Sequence, residues 1–225
     1  MTPEFDRHLR AAEAHLSSTS GDFTDLIRHV GPCTFAPDPD LFPVLLRAVF
    51  AQLISTAAAR SITLKFQAAL NQKVTPARVA ALTAEQLKAC GISGAKQKTV
   101  HGIAAHFRAT RGLPKRLAAA TDDDVRRMLL PLYGVGPWTV DMLLMFGLGR
   151  PDILPVGDLG LRAGAKDLFR LAELPDAATL TMLAEPWRPY RAVATWFLWK
   201  RRGWVPQSGA DGANPVVTPG RADGK

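Results

Sequence analysis

The chain has 225 residues, 47% apolar and 21% charged, with a mean hydropathy of +0.01. That balance excludes a disordered chain, and no apolar run reaches the roughly eighteen residues that cross a bilayer. The net charge of +8 is concentrated: residues 41–120 hold twelve Lys or Arg against Glu85 alone, residues 1–40 are acidic, and residues 121–205 are nearly neutral. Such a segment faces either a polyanion or only solvent. The opening MTPEFDRHLRAAEAHL lacks the apolar core of a secretion signal. Cys33 and Cys90 are too few for a disulfide framework or a four-Cys cluster. A soluble intracellular globule is expected.

In chain order, residues 41–51 and 56–70 read as two apolar-rich helices broken at Gln52–Ser55. Thr75-Pro76 sets a cap before a proline at the first helical position. Thr83 and Gln86 make a capping box, with Leu82 and Leu87 as its hydrophobic staple. Asp122, Asp123 and Asp124 open a helix on which Val125, Met128, Leu129 and Leu132 mark one face. The stretch LLPLYGVGPWTVDMLLMFGL then joins two helices through Gly134-Val135-Gly136, and Pro137 starts the second. Pro155 and Gly157 force a turn that puts Asp158 at the N-terminus of a helix over 159–170. Asp176 caps a short run with Leu180 and Leu183. Pro189 opens a last helix with Val193, Trp196 and Phe197 inward, Lys200, Arg201 and Arg202 at its end, and Gly203 after it. No alternating strand pattern of useful length occurs, and residues 206–225 are expected to be disordered. The predicted fold is all-α, with nine to eleven short helices.

Three features of this pattern bear on chemistry. A helix N-terminus reached through a glycine hairpin, with no side chain in the way, can take a phosphate; it can equally be a tight turn between packed helices. Trp138 follows that hairpin directly and offers a stacking surface. Asp158 supplies a negative charge, or is simply the cap of its helix. His101 and His106 are five residues apart, poorly placed on one helical face, and no other ligand completes a metal site. There is no phosphate-binding P-loop, GxSxG elbow or dinucleotide fingerprint.

Four motifs in this order, AQLIS at 51–55, YGVGPWT with Trp138, LPVGDLGLR with Asp158 and WRPYRAVATWFLW at 187–199, resemble the helix–hairpin–helix DNA glycosylases. Within them the chain is most similar to the 3-methyladenine DNA glycosylase II (AlkA-type) branch, over roughly residues 40–203. The resemblance implies two helical lobes flanking a DNA-binding cleft: a basic lobe of about 41–145, and a second from 1–40 plus 146–205. It implies a short form, since some forty leading residues leave no room for the N-terminal β-rich domain of longer members. Tyr133 stands where the family usually has Pro.

The resemblance also implies roles. Asp158 would be the catalytic carboxylate. Trp138, Trp187 and Tyr133 would line a pocket for a cationic alkylated base, with Trp187 equally able to be core. Leu53 would be the wedge filling the space of an extruded base, or else a core leucine. Gln52 and Ser55 would touch the strand or cap the next helix. Gly134, Gly136 and Thr139 of the hairpin would hold one phosphate. Gly91 and Lys96 would hold another, with Lys96 and Lys98 otherwise ordinary exposed lysines. Bifunctional relatives place a lysine two residues past the second hairpin glycine; here that residue is Trp138, so no strand cleavage is expected. No metal or organic cofactor is expected, apart from a monovalent cation at the hairpin. The expected partner is double-stranded DNA containing alkylated bases, met by a monomer away from membranes, in the cytoplasm of a bacterium or the nucleus of a eukaryote. The alternatives are a non-catalytic helix–hairpin–helix DNA-binding module and a helical scaffold with a solubilising basic face.

Overall fold

The structure is a computed structural model in which residues 3–203 are described; the 206–225 tail lies outside the described residues. Among those residues there are thirteen α-helices, one 3₁₀ turn and no strand. In chain order α1 (Pro3–Thr19) and α2 (Gly21–Val30) come first. They are followed by α3 (Leu41–Ala51), α4 (Thr56–Ala69), α5 (Pro76–Ala80), α6 (Ala84–Ala89), α7 (Gly94–Ala109), α8 (Leu113–Ala119), α9 (Asp122–Leu129) and α10 (Pro137–Phe146). Last come α11 (Leu159–Phe169), α12 (Ala177–Leu183), the 3₁₀ turn Glu185–Trp187 and α13 (Arg191–Arg201). None of them is long and apolar enough to cross a membrane. The chain forms two compact units, Pro37–Arg150 and the residues on either side of it.

The Pro37–Arg150 unit is built on α3 and α10. Nine side chains of α3, from Leu41 to Phe50, are buried, and so is every residue of α10 from Thr139 to Phe146. A helix apolar all round belongs in a core, and α3 packs there against α10, α4 and α7. Phe42 meets Phe107 at 5.1 Å between ring centroids, and Phe50 meets Phe66 edge-on at 5.0 Å. All twelve basic residues of the 41–120 segment lie in this unit. Among the described residues only Arg47 of the twelve is in an ion pair, with Asp38 at 2.7 Å, so carboxylates within the unit leave the basic excess uncancelled.

In the other unit α13 packs on α11, α2 and α1. A Cβ on Gly164 would lie 2.9 Å from Leu198 Cβ, so glycine is what lets α11 approach α13 this closely. Leu9, Ala12 and Leu16 form the buried stripe of α1. Three corrections to the sequence expectations follow. The helix count is higher, at thirteen among the described residues, and several are short: α5, α6 and α8 have five to seven residues each. Leu132 lies beyond α9, which ends at Leu129. The last helix starts at Arg191 rather than Pro189, because Glu185–Trp187 forms its own turn and Tyr190 N–H donates to the Trp187 carbonyl at 2.7 Å.

Candidate nucleic-acid interface and carboxylate site

The hairpin lies between α9 and α10. Gly134 has φ +74°, and a Cβ there would sit 2.0 Å from Thr99 Oγ1, so both backbone and packing require glycine. Gly136 is different: it is the N-cap of α10 with φ −102°, and nothing approaches its Cβ position. No side chain caps α10, whose first helical residue is Pro137. The result is a helix N-terminus of the kind that favours an anion.

The turn after α3 sits beside this hairpin. Leu53 is fully exposed, at φ +57°, a conformation that costs a non-glycine residue about 1 kcal/mol or more. A core role for Leu53 is thereby excluded. Gln52 turns its side-chain amide the other way: Nε2 donates to the Gly134 carbonyl at 2.9 Å and to Thr139 Oγ1 at 2.8 Å. Ser55 caps α4, accepting from Ala58 N–H at 3.2 Å.

Several expected strand contacts change accordingly. The Gln52 amide nitrogen is engaged by the hairpin while the residue stays half-exposed, and Thr139 is buried beneath it, so the Thr139 side chain does not reach the surface. A cation held by the hairpin would have to share the Gly134 carbonyl with the Gln52 amide. Lys96 is not an exposed lysine either. Its half-buried ammonium donates to the carbonyls of Phe50 and Gln52, each at 2.9 Å. Gly91 has φ +88° and is exposed, as a phosphate-holding turn requires. Lys98 remains exposed, with its ammonium 4.2 Å from the centroid of the Tyr133 ring. Tyr133 is itself 54% exposed, with one face already covered by that cation. Trp138 is half-buried at the start of α10.

Asp158 belongs to the other unit. It is the N-cap of α11 and is 9% exposed. Its Oδ1 accepts from Leu161 N–H at 2.6 Å and from the Trp199 indole Nε1–H at 2.8 Å. The capping role is therefore real, and the indole adds a donor that capping does not call for. The preceding loop is tied to α13 by Arg191, whose Nε and NH2 meet Asp152 Oδ1 at 2.6 Å and Oδ2 at 3.0 Å, with Arg188 on the same carboxylate at 2.7 Å. Bidentate pairing of this kind fixes geometry as well as charge.

Trp187 is a correction. It is 2% exposed, stacked on Phe169 with 6.1 Å between centroids and edge-on to Phe23 at 5.4 Å. It is a core residue, not a pocket ring. Trp199 is the functional candidate that sequence reasoning passed over. It ends the WRPYRAVATWFLW motif, but only the fold brings it to a carboxylate 41 positions away. Among the described residues no group of three or more His, Cys, Asp or Glu is placed to hold a metal ion.

The chain is 34% identical over 202 residues to the alkylbase DNA glycosidase-like protein of Schizosaccharomyces pombe, covering 87% of this chain and 94% of that protein. It is 31% identical over 198 residues to DNA-3-methyladenine glycosylase 1 of the same organism, covering 85% and 87%. Among solved structures, that of a 3-methyladenine DNA glycosylase from S. pombe in complex with abasic DNA superposes with a TM-score of 0.79 at 29% identity, covering 88% of this chain and 98% of that one. The pattern of the HhH-GPD superfamily of base excision DNA repair proteins matches residues 46–189, a span that takes in the Leu53 turn, the hairpin and Asp158. A match over more than half the chain, with a relative covered almost end to end, means that this chain belongs to the HhH-GPD superfamily of base excision DNA repair proteins.

Proposed function

We propose that the protein is a monofunctional DNA glycosylase that releases alkylated bases of the 3-methyladenine type from double-stranded DNA and so begins base-excision repair. The observation that carries the reading is Asp158: a nearly buried carboxylate, oriented by a backbone N–H and an indole N–H, in a chain of this family. Two features of the Pro37–Arg150 unit support it. The open N-terminus of α10 suits a DNA phosphate, which it would grip without reading sequence. The exposed Leu53 suits the space an extruded base leaves behind, and extrusion costs a few kcal/mol that such a wedge helps to offset.

The chemistry follows from the substrate. Alkylation at a ring nitrogen makes the base cationic, so an electron-rich ring such as Trp138 attracts it by about 0.5–2 kcal/mol. Tyr133 contributes through the ring face that Lys98 leaves open. The N-glycosidic bond breaks with its electron pair going to the base, and positive charge develops on the deoxyribose. Asp158 stabilises that charge, orients a water molecule at the sugar carbon, and takes the proton the water gives up as the new C–O bond forms. Water, a carboxylate and the charge of the substrate suffice, so the proposed reaction calls for neither metal nor organic cofactor. The protein acts as a monomer.

The test is incubation with an alkylated duplex. Free alkylated base should appear together with an intact abasic strand that breaks only on later alkali or heat. A borohydride-trapped enzyme–DNA adduct would refute the hydrolytic, monofunctional mechanism.

A further inference from the structure

Leu53 is held outward in a left-handed conformation that its own backbone disfavours, so other groups must hold it. The residue before it is pinned from two directions. The Gln52 side chain is fastened to the hairpin through Gly134 and Thr139. The Gln52 carbonyl, with that of Phe50, is fastened by the ammonium of Lys96. Lys96 sits in the first turn of α7, the wrong end of its own helix for a cation. It is well placed for α3, whose C-terminal carbonyls carry the negative end of that helix dipole. Burial lowers the pKa of this ammonium from its ordinary value.

We propose that Lys96 is a positioning residue for the DNA wedge: by fastening the C-terminus of α3 it presents Leu53 for insertion, and it is not itself a phosphate ligand. Through Gln52 the same brace joins the wedge to the hairpin, so that gripping the backbone and filling the vacated stack are done by one rigid piece. The inference rests on the reading of Leu53 as a wedge.

Lys96→Met keeps the aliphatic stem and removes the donors. Single-turnover base release from a lesion duplex should slow by about tenfold or more, as a misplaced group produces. Affinity for undamaged duplex and its dependence on salt should stay unchanged, and Lys96→Arg should recover most of the rate. Because Lys96 acts through Leu53, the double variant Lys96→Met/Leu53→Ala should be no slower than Leu53→Ala alone, within about twofold. A salt slope reduced by about one would make Lys96 a phosphate ligand and overturn the proposal. So would an unchanged rate, or losses that multiply. Should Leu53→Ala release bases at the wild-type rate, the wedge reading fails first, whatever Lys96→Met does.

Reductive methylation of the wild-type protein, read by mass spectrometry, needs no variant to fold. The rate at Lys96 should be the same with and without DNA. Rapid reaction in free protein with protection by DNA would overturn the proposal.

Discussion

The Trp199 indole nitrogen lies 2.8 Å from Oδ1 of Asp158, and both side chains are buried. An N-cap carboxylate needs only the backbone N–H it accepts, here that of Leu161. A second donor, brought from a separate helix, fixes the plane of the carboxylate, and orientation is worth much to a group that must face developing charge. Trp199→Phe keeps most of the packing and deletes this donor. Single-turnover base release should fall by about tenfold, while the dissociation constant for abasic duplex stays unchanged. Equal losses in both would mean that the indole serves stability alone.

Leu53 gives the opposite profile. Its side chain touches solvent only, so Leu53→Ala should alter stability by less than about 0.5 kcal/mol, against roughly 2–5 kcal/mol for a core leucine. Affinity for lesion duplex and the rate of base release should both fall. Thermal melts and single-turnover assays on the same preparation check the two halves.

The two hairpin glycines separate by mutation. Gly134→Ala meets both a left-handed backbone and Thr99 Oγ1 at 2.0 Å, so it should lose on the order of 1–2 kcal/mol from the backbone alone, more from the clash, and weaken duplex binding. Gly136→Ala meets neither obstacle and should melt within about 1 kcal/mol of the parent. Circular-dichroism melts and duplex titrations decide it.

Local signals carried most of the legible structure. The Thr83–Gln86 capping box and the caps at Thr75, Asp158 and Asp176 are all present, because each depends on residues three apart. The links between elements were not legible. Gln52 to Thr139 spans 87 positions, Lys96 to Gln52 spans 44 and Trp199 to Asp158 spans 41; no periodicity reports a hydrogen bond of that reach. Trp187 shows the same limit from the other side. A tryptophan in a motif reads alike as pocket or core until Phe169 is found stacked on it and Phe23 edge-on to it.

Burial pushes the Cys33 thiol up from 9.0 to about 12. The folded state therefore keeps this proton where the unfolded chain releases it, so stability should decline as pH rises from about 9 towards 12. At pH 8 the thiolate population is therefore well below that of an ordinary cysteine, and alkylation should be correspondingly slow. A mass-spectrometric time course with iodoacetamide tests this; rapid labelling of Cys33 in folded protein would contradict it.

The most direct test of the central claim is the single-turnover release of 3-methyladenine from an alkylated duplex by the wild-type protein and by Asp158→Asn. The asparagine oxygen can still accept from Leu161 N–H and from the Trp199 indole, so the melting temperature should change little while the charge is lost. The wild-type protein should release the base, and the variant should be slower by at least about a hundredfold. A wild-type protein that releases no base, or a variant that matches its rate, would contradict the claim.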